Sequence, residues 1–158
     1  MRAEAIRSLV ERAMEPIGAP IGSMALSTSE RIASARVWRK RYGGGMRQVG
    51  ILAAAADYAI THHMSDLSHD HRRAKALATA IAQVDSSLID PSSVATNIVG
   101  LNLKALGITA AELAQRSKDA GLLIGALGPH FARLVTHRDF DDAQCDQAIE
   151  ILRKTLVA

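Results

Sequence analysis

A single cysteine, Cys145, is all the thiol chemistry that the 158 residues hold. It excludes an internal disulfide and any Cys-x-x-Cys zinc or redox pair, and it fits a reducing, cytoplasmic setting. Long apolar runs are also missing. Residues 51–56 form one of the longest, far short of the roughly 20 that a bilayer-crossing helix needs, so no membrane partner is expected. The opening stretch MRAEAIRSLVERAM mixes Glu4 and Glu11 with its arginines and lacks both a long apolar centre and a small-residue cleavage site, so it predicts no targeting signal. Charge of one sign is scarce too: 19 Lys and Arg face 16 Asp and Glu, a net +3, and aromatics make up only 3%. A nucleic-acid partner would call for a basic surface with stacking rings, and none is expected. With 48% hydrophobic and 22% charged residues the chain is nonetheless no disordered tail.

What is present reads as helices first and short strands later. Residues 1–14 space Ala5, Leu9 and Ala13 as a weakly amphipathic helix that Pro16 disfavours extending. Gly18, Pro20 and Gly22 then punctuate a loop that leads into a predicted strand over 22–26. Ser27 stands three residues before Glu30, a capping-box spacing that predicts a helix over 27–42, stopped by Gly43, Gly44 and Gly45. A second helix is predicted over 46–63, with Val49, Leu52, Ala53, Ala56 and Ile60 on one face. A third covers 66–84, where Ala74, Leu77, Ala78 and Ile81 repeat at three and four. Beyond Pro91 the β-prone runs are 96–103, 122–127 and 131–137. A helix capped by Thr109 and Glu112 separates the first two, and a last helix over 141–155 aligns Cys145, Ala148, Ile149, Leu152 and Leu156. This tail reads β-α-β-β-α, a small α+β layer.

Four constellations carry candidate chemistry. Arg31, Arg36, Arg39, Lys40, Arg41 and Arg47 face the single acid Glu30 and end in a Gly-Gly-Gly-Met-Arg turn before a helix. Glycines admit close backbone approach, and guanidinium groups beside helix N-terminal amides suit a phosphate; a solvated basic face with a glycine hinge is the plainer alternative. Arg133 alternates with Phe131, Val135 and His137 on one predicted strand face, so a cation shares a side with apolar groups and calls for an anion. An internal Asp or Glu and a ligand carboxylate both satisfy that need. His62, His63, His69 and His71 lie near Asp57, Asp66 and Asp70, but without a His-Glu-x-x-His spacing they read as helix-junction and surface histidines rather than metal ligands. Cys145, on the apolar stripe of its helix, reads as core rather than nucleophile.

The segments GAPIGS (18–23), RVWRKRYGGGMRQVGILAAAADYAI (36–60), LSHDHRRAKALA (67–78), TNIV (96–99), GITAAEL (107–113) and RLVTHRD (133–139) together resemble the pyridoxal-phosphate-dependent threonine aldolases of the β-eliminating lyase superfamily. The resemblance runs over 17–156. It implies an α/β, aspartate-aminotransferase-like fold: a non-matching helix over 1–14, the end of the large cofactor domain over 15–65 and the small α+β C-terminal domain over 66–158. Such enzymes cleave β-hydroxy-α-amino acids to glycine and an aldehyde, with the cofactor ring as electron sink. By resemblance Arg133 falls on the arginine that holds the substrate carboxylate, while Arg47 and Lys40 fall on the cofactor-phosphate side. The histidines 62–71 fall on the linker between domains. The departure lies three residues before Gly18, where the family's cofactor-anchoring lysine is replaced by Glu15. The family's upstream cofactor-binding residues have no counterpart here either. The resemblance therefore implies the C-terminal part of such an enzyme, inactive alone, working as a homo-oligomer or paired with a full-length relative; the alternative is a non-catalytic interaction module.

Overall fold

The computed structural model describes residues 17–21 and 25–157, and the chain divides into two compact units between Met64 and Ser65. The predicted helix 1–14, Glu15 and residues 22–24 of the predicted strand lie outside the described residues. Ala25 and Leu26, the rest of that strand, are in no strand.

The first unit is built from α1 (Ser29–Arg41) and α2 (Gly50–His63). Thr28, not Ser27, is the N-cap of α1: it is extended at φ −64 and ψ 154, and its hydroxyl accepts the Arg31 N–H at 3.5 Å. The third helical residue is then Arg31 instead of Glu30, so no reciprocal box forms. Glu30 still occupies the first turn, and Arg39, Lys40 and Arg41 the last, the order that the helix dipole favours. Termination follows from the glycines. Gly43 is left-handed at φ 77 and donates to the Lys40 carbonyl at 3.2 Å, while Gly44 donates to that of Arg39 at 2.8 Å, a Schellman closure.

The second helix starts at Gly50 rather than at residue 46, because Gln48 is left-handed at φ 52 and cannot belong to a right-handed helix. Its buried residues are Ala56 and Ala59, whereas Val49, Ala53 and Ile60 of the predicted face are exposed. A helix apolar on every side gives spacing no single face to select. Ile17 and Ala19 are also buried, with the Ile17 carbonyl 2.7 Å from His63 Nδ1.

The second unit comprises α3 (Leu67–Val84), β1 (Ile98–Asn102), α4 (Ala110–Asp119), β2 (Gly125–Gly128), β3 (Phe131–Val135) and α5 (Asp142–Val157). The predicted β-α-β-β-α tail is present with shorter strands. They form one antiparallel sheet in the order β1-β3-β2. Inward-pointing Val99, Leu101, Ala132 and Leu134 meet Ala74, Leu77, Ala78 and Ile81 of α3, Leu113 of α4, and Ala148 and Leu152 of α5. Both predicted helix stripes therefore face inside, with Ile149 half-buried at the margin. The predicted capping box starts α4: Glu112 N–H donates to Thr109 Oγ1 at 3.1 Å, and Thr109 N–H to Glu112 Oε2 at 2.6 Å. The Thr109 N–H and, at 2.8 Å, its hydroxyl both donate to Oε2 and hold the Glu112 carboxyl below its ordinary pKa. Helices around a small antiparallel sheet make the mixed α/β arrangement of an aminotransferase-like fold fragment.

Candidate functional site

Strand alternation in β3 sends Ala132 and Leu134 into the core and Phe131, Arg133 and Val135 to the other face. That face is exposed, so Arg133 escapes the burial cost that its apolar neighbours suggest from sequence. Its cross-strand partners are Gly100 on β1 and Gly125 on β2. Residues directly opposite in an antiparallel pair project from the same face, so the guanidinium stands in a row with no side chain on either side. A Cβ at Gly100 would come within 2.9 Å of Phe131 Cζ, which places that ring across the glycine. Ile98, Phe131 and Val135 are each about half exposed around the row. Among the described residues no acid pairs with Arg133. What remains is a planar fork of donors on an apolar floor, suited to a bidentate carboxylate.

The strand carrying this arginine is held by residues that the sequence did not single out for a role. Thr136 N–H donates to the Asn97 carbonyl at 3.0 Å, and Asn97 Nδ2 returns a bond to the Thr136 carbonyl at 2.7 Å. Thr136 Oγ1 donates to the backbone carbonyl of Asp70 at 2.7 Å. All three residues are buried, and together they tie the exit of β3 to the approach to β1 and the first turn of α3. The Asp70 side chain has Oδ1 3.4 Å from Arg73 Nη1, while Oδ2 has no hydrogen-bond partner among the described residues. Burial pushes its carboxyl up, against the opposing pull of Arg73 and His137. Arg73 Nε also donates to Asp142 Oδ1 at 2.6 Å and Arg72 Nη2 to the same oxygen at 2.9 Å, which hold the Asp142 carboxyl below the usual range.

In the first unit, Lys40 and Arg47 are exposed, as are Arg31, Arg36, Arg39 and Arg41. No ion pair engages these six cations among the described residues. The aliphatic stem of Lys40 lies beside the glycine turn that leads to Arg47: a Cβ at Gly45 would sit 3.5 Å from Lys40 Cγ. Trp38 stacks on Tyr42 at 5.7 Å and takes the Arg41 guanidinium at 4.9 Å. His62 and His63 pack against the Tyr58 ring at 4.3 and 5.4 Å. His69 and His71 lie on α3, and among the described residues no three His, Cys, Asp or Glu gather as metal ligands. Cys145 is buried with its thiol 3.8 Å from the Arg73 carbonyl, and burial pushes that thiol up, which suits a core residue and disfavours a nucleophile. No helix among the described residues is long and apolar enough to cross a membrane.

A family model described as beta-eliminating lyase matches residues 14–105. The probable low-specificity L-threonine aldolase 2 of Arabidopsis thaliana is 32% identical over 139 residues, covering 87% of this chain and 39% of that protein. The low specificity L-threonine aldolase of Escherichia coli (strain K12) is 35% identical over 128 residues, 81% of this chain and 36% of its own length. Alanine racemase TOXG of Cochliobolus carbonum is 29% identical over 150 residues, 90% of this chain and 37% of its own. The chain thus spans well under half the length of the curated relatives it matches.

Proposed function

The chain belongs to the beta-eliminating lyase family, and from that membership we propose that it carries the substrate-carboxylate side of a pyridoxal-phosphate-dependent, threonine-aldolase-type site. The observation that supports this most is Arg133, exposed, without an ion-pair partner among the described residues and flanked by Gly100 and Gly125. The guanidinium grips the α-carboxylate of a β-hydroxy-α-amino acid, and the bare Gly125 side leaves room for the amino acid to lie along the sheet. Lys40 and Arg47, exposed and unpaired among the described residues, suit the dianionic phosphate end of the cofactor. When bound, that cofactor supplies an electron sink for the carbanion left by bond cleavage.

Turnover needs more than these residues. Glu15 stands where the family places its anchoring lysine, and a carboxylate cannot condense with an aldehyde, so this chain does not turn over threonine by itself. It works in the cytoplasm, as a homo-oligomer or beside a full-length relative. The test is to mix the chain with pyridoxal phosphate and threonine and measure glycine, with borohydride to fix any cofactor on a lysine. No glycine and no stoichiometric labelling are expected. Glycine release together with cofactor fixed on one lysine sinks the reading.

A second reading is favoured by α1, which buries none of its residues. In it the chain is a non-catalytic module that pairs with a full-length relative. Co-sedimentation with such a relative, without change in its activity, supports that reading over the first.

A further inference from the structure

The pairing of β2 with β3 ends at Gly125 and Arg133, yet β3 continues to Val135 against β1 alone. Thr136 N–H points to β1, where it meets the Asn97 carbonyl at 3.0 Å. Strand alternation therefore turns the Val135 N–H and C=O to the side that β2 has left. The chain before β2 does not fill this edge. It leaves α4 through a left-handed turn at Gly121, φ 93, and the Leu122 N–H is taken by the Ser117 carbonyl at 2.8 Å.

A cavity of about 270 Å³ occupies the resulting gap, just under the range of about 300–1,000 Å³ that ligand sites span. Leu134 and Ala148 are in its floor, Leu123 in its wall, and His137, Gln144 and Gln147 line it as well. Gln144 Oε1 already accepts the Asp141 N–H at 2.8 Å, which leaves the Nε2 hydrogens as donors. Gln147 makes no hydrogen bond among the described residues. No Asp, Glu, Lys or Arg lines the cavity among the described residues. The site therefore offers a peptide edge, two primary amides and an aliphatic floor, with no fixed charge to hold an ion.

We propose that this cavity binds an uncharged secondary amide that carries an aliphatic side chain. The amide pairs with the Val135 peptide and the two glutamines, and the side chain lies on Leu134 and Ala148 against Leu123. Two sources share that chemistry, a short extended peptide segment and a free N-acylated amino-acid amide. Arg133 does not line the cavity, although Val135, on the same face of β3, does.

The experiment is a ¹H–¹⁵N NMR titration of the whole chain with N-acetyl-leucine amide, N-acetylglycine amide and an acetylated, amidated Val-Leu-Val tripeptide. Saturable shifts are expected at Val135 and His137 and at the side-chain amides of Gln144 and Gln147. N-acetylglycine amide should bind about tenfold more weakly, since it leaves the floor uncovered. A tripeptide that binds much more tightly assigns the peptide source; equal affinity assigns the free amide. Leu123→Ala should weaken binding several-fold and leave the fold intact, because Leu123 is 81% exposed. Gln147→Ala should also weaken it, and Arg133→Ala should leave it unchanged. The proposal is overturned by non-saturable shifts, by equal binding of the glycine compound, or by shifts that vanish in Arg133→Ala.

Discussion

Helices of similar length meet opposite fates in the two units. In the first, the 13-residue α1 buries nothing and the 14-residue α2 buries two alanines. In the second, the 18-residue α3 buries six residues and the 16-residue α5 buries five. The difference is one of pattern. Apolar residues of α3 and α5 lie on a single stripe and cover a sheet, whereas α1 is basic around its girth and α2 is apolar around its own. α1 is specified by local signals, the Thr28 cap and the Gly43 closure; the helices of the second unit also have a core. Isolated helices shorter than about 12–15 residues are marginal in water, so among the described residues α1 has little beyond its caps and the Trp38 ring contacts to hold it.

Truncation should separate the units most sharply. Leu113→Ala, at a site with 0% exposure, is expected to cost about 2–5 kcal/mol. Ile51→Ala, at 78% exposure, should stay within about 0.5 kcal/mol. Urea unfolding followed by far-ultraviolet circular dichroism measures both. Trp38, the single tryptophan, reports the first unit only and is half exposed already, so its emission should shift little through the transition. A loss at Ile51 comparable to that at Leu113 would mean that the first unit is covered as thoroughly as the second.

A smaller effect is expected where polar groups are buried. Thr136→Val keeps the shape but removes the hydroxyl's bond to the Asp70 carbonyl, which still accepts within α3, so the expected cost is that of one net hydrogen bond, about 0.5–1.5 kcal/mol. Thr136→Ser should restore most of it. The long-range side-chain bond of the first unit, between His63 Nδ1 and the Ile17 carbonyl at 2.7 Å, is only part-buried, so a substitution there should cost less. A Thr136→Val chain as stable as the wild type shows that the threonine hydroxyl adds nothing net to what the helix already gives the Asp70 carbonyl.

The same contrast sets what could be read from sequence. The stripes on α3 and α5 were legible because their inner residues recur at three and four, and Thr109 with Glu112 announced α4 by chemistry alone. The face of α2 was not legible, since residues 51–56 offer apolar groups in every direction. Its start was hidden by Gln48, whose left-handed backbone no residue-type rule predicts. Thr28 displaced Ser27 as cap because two adjacent hydroxyls carry the same signal. At the candidate site the alternation of Arg133 was visible, but its glycine flanks arise from register with strands that only the fold brings beside it. The bonds linking Asn97, Thr136 and Asp70 span 39 and 66 residues, distances at which local pattern says nothing.

Acid titration probes the second unit at two carboxylates of opposite sign. Asp142, held low by Arg73 and Arg72, contributes stability above its unfolded pKa that is lost as pH falls through its lowered folded pKa. Asp70 is raised by burial, so its contribution is fully present below the unfolded pKa and is lost as pH rises through the raised folded value. Asp142→Asn should therefore flatten the acid limb of a stability-against-pH curve, and Asp70→Asn the limb above the ordinary carboxylate range. If both substitutions flatten the same limb, the sign assigned to one of them is wrong.

The smallest expected effect is the most informative about the site. Arg133 belongs to the well-packed unit, yet it lies on the face away from the core, is exposed, and has no ion-pair partner among the described residues. Removing it leaves no buried group unmet and opens no cavity. Arg133→Ala is therefore expected to change unfolding free energy by no more than about 0.5 kcal/mol, as at an ordinary surface position, although Leu134 beside it belongs to the core. A carboxylate-binding arginine is dispensable for folding in this way, whereas an arginine kept for structure is not. Urea unfolding of Arg133→Ala beside Leu134→Ala makes the comparison within one strand. A loss at Arg133 approaching that at Leu134 would make the guanidinium a structural member of the sheet and remove the main support for its role in holding substrate.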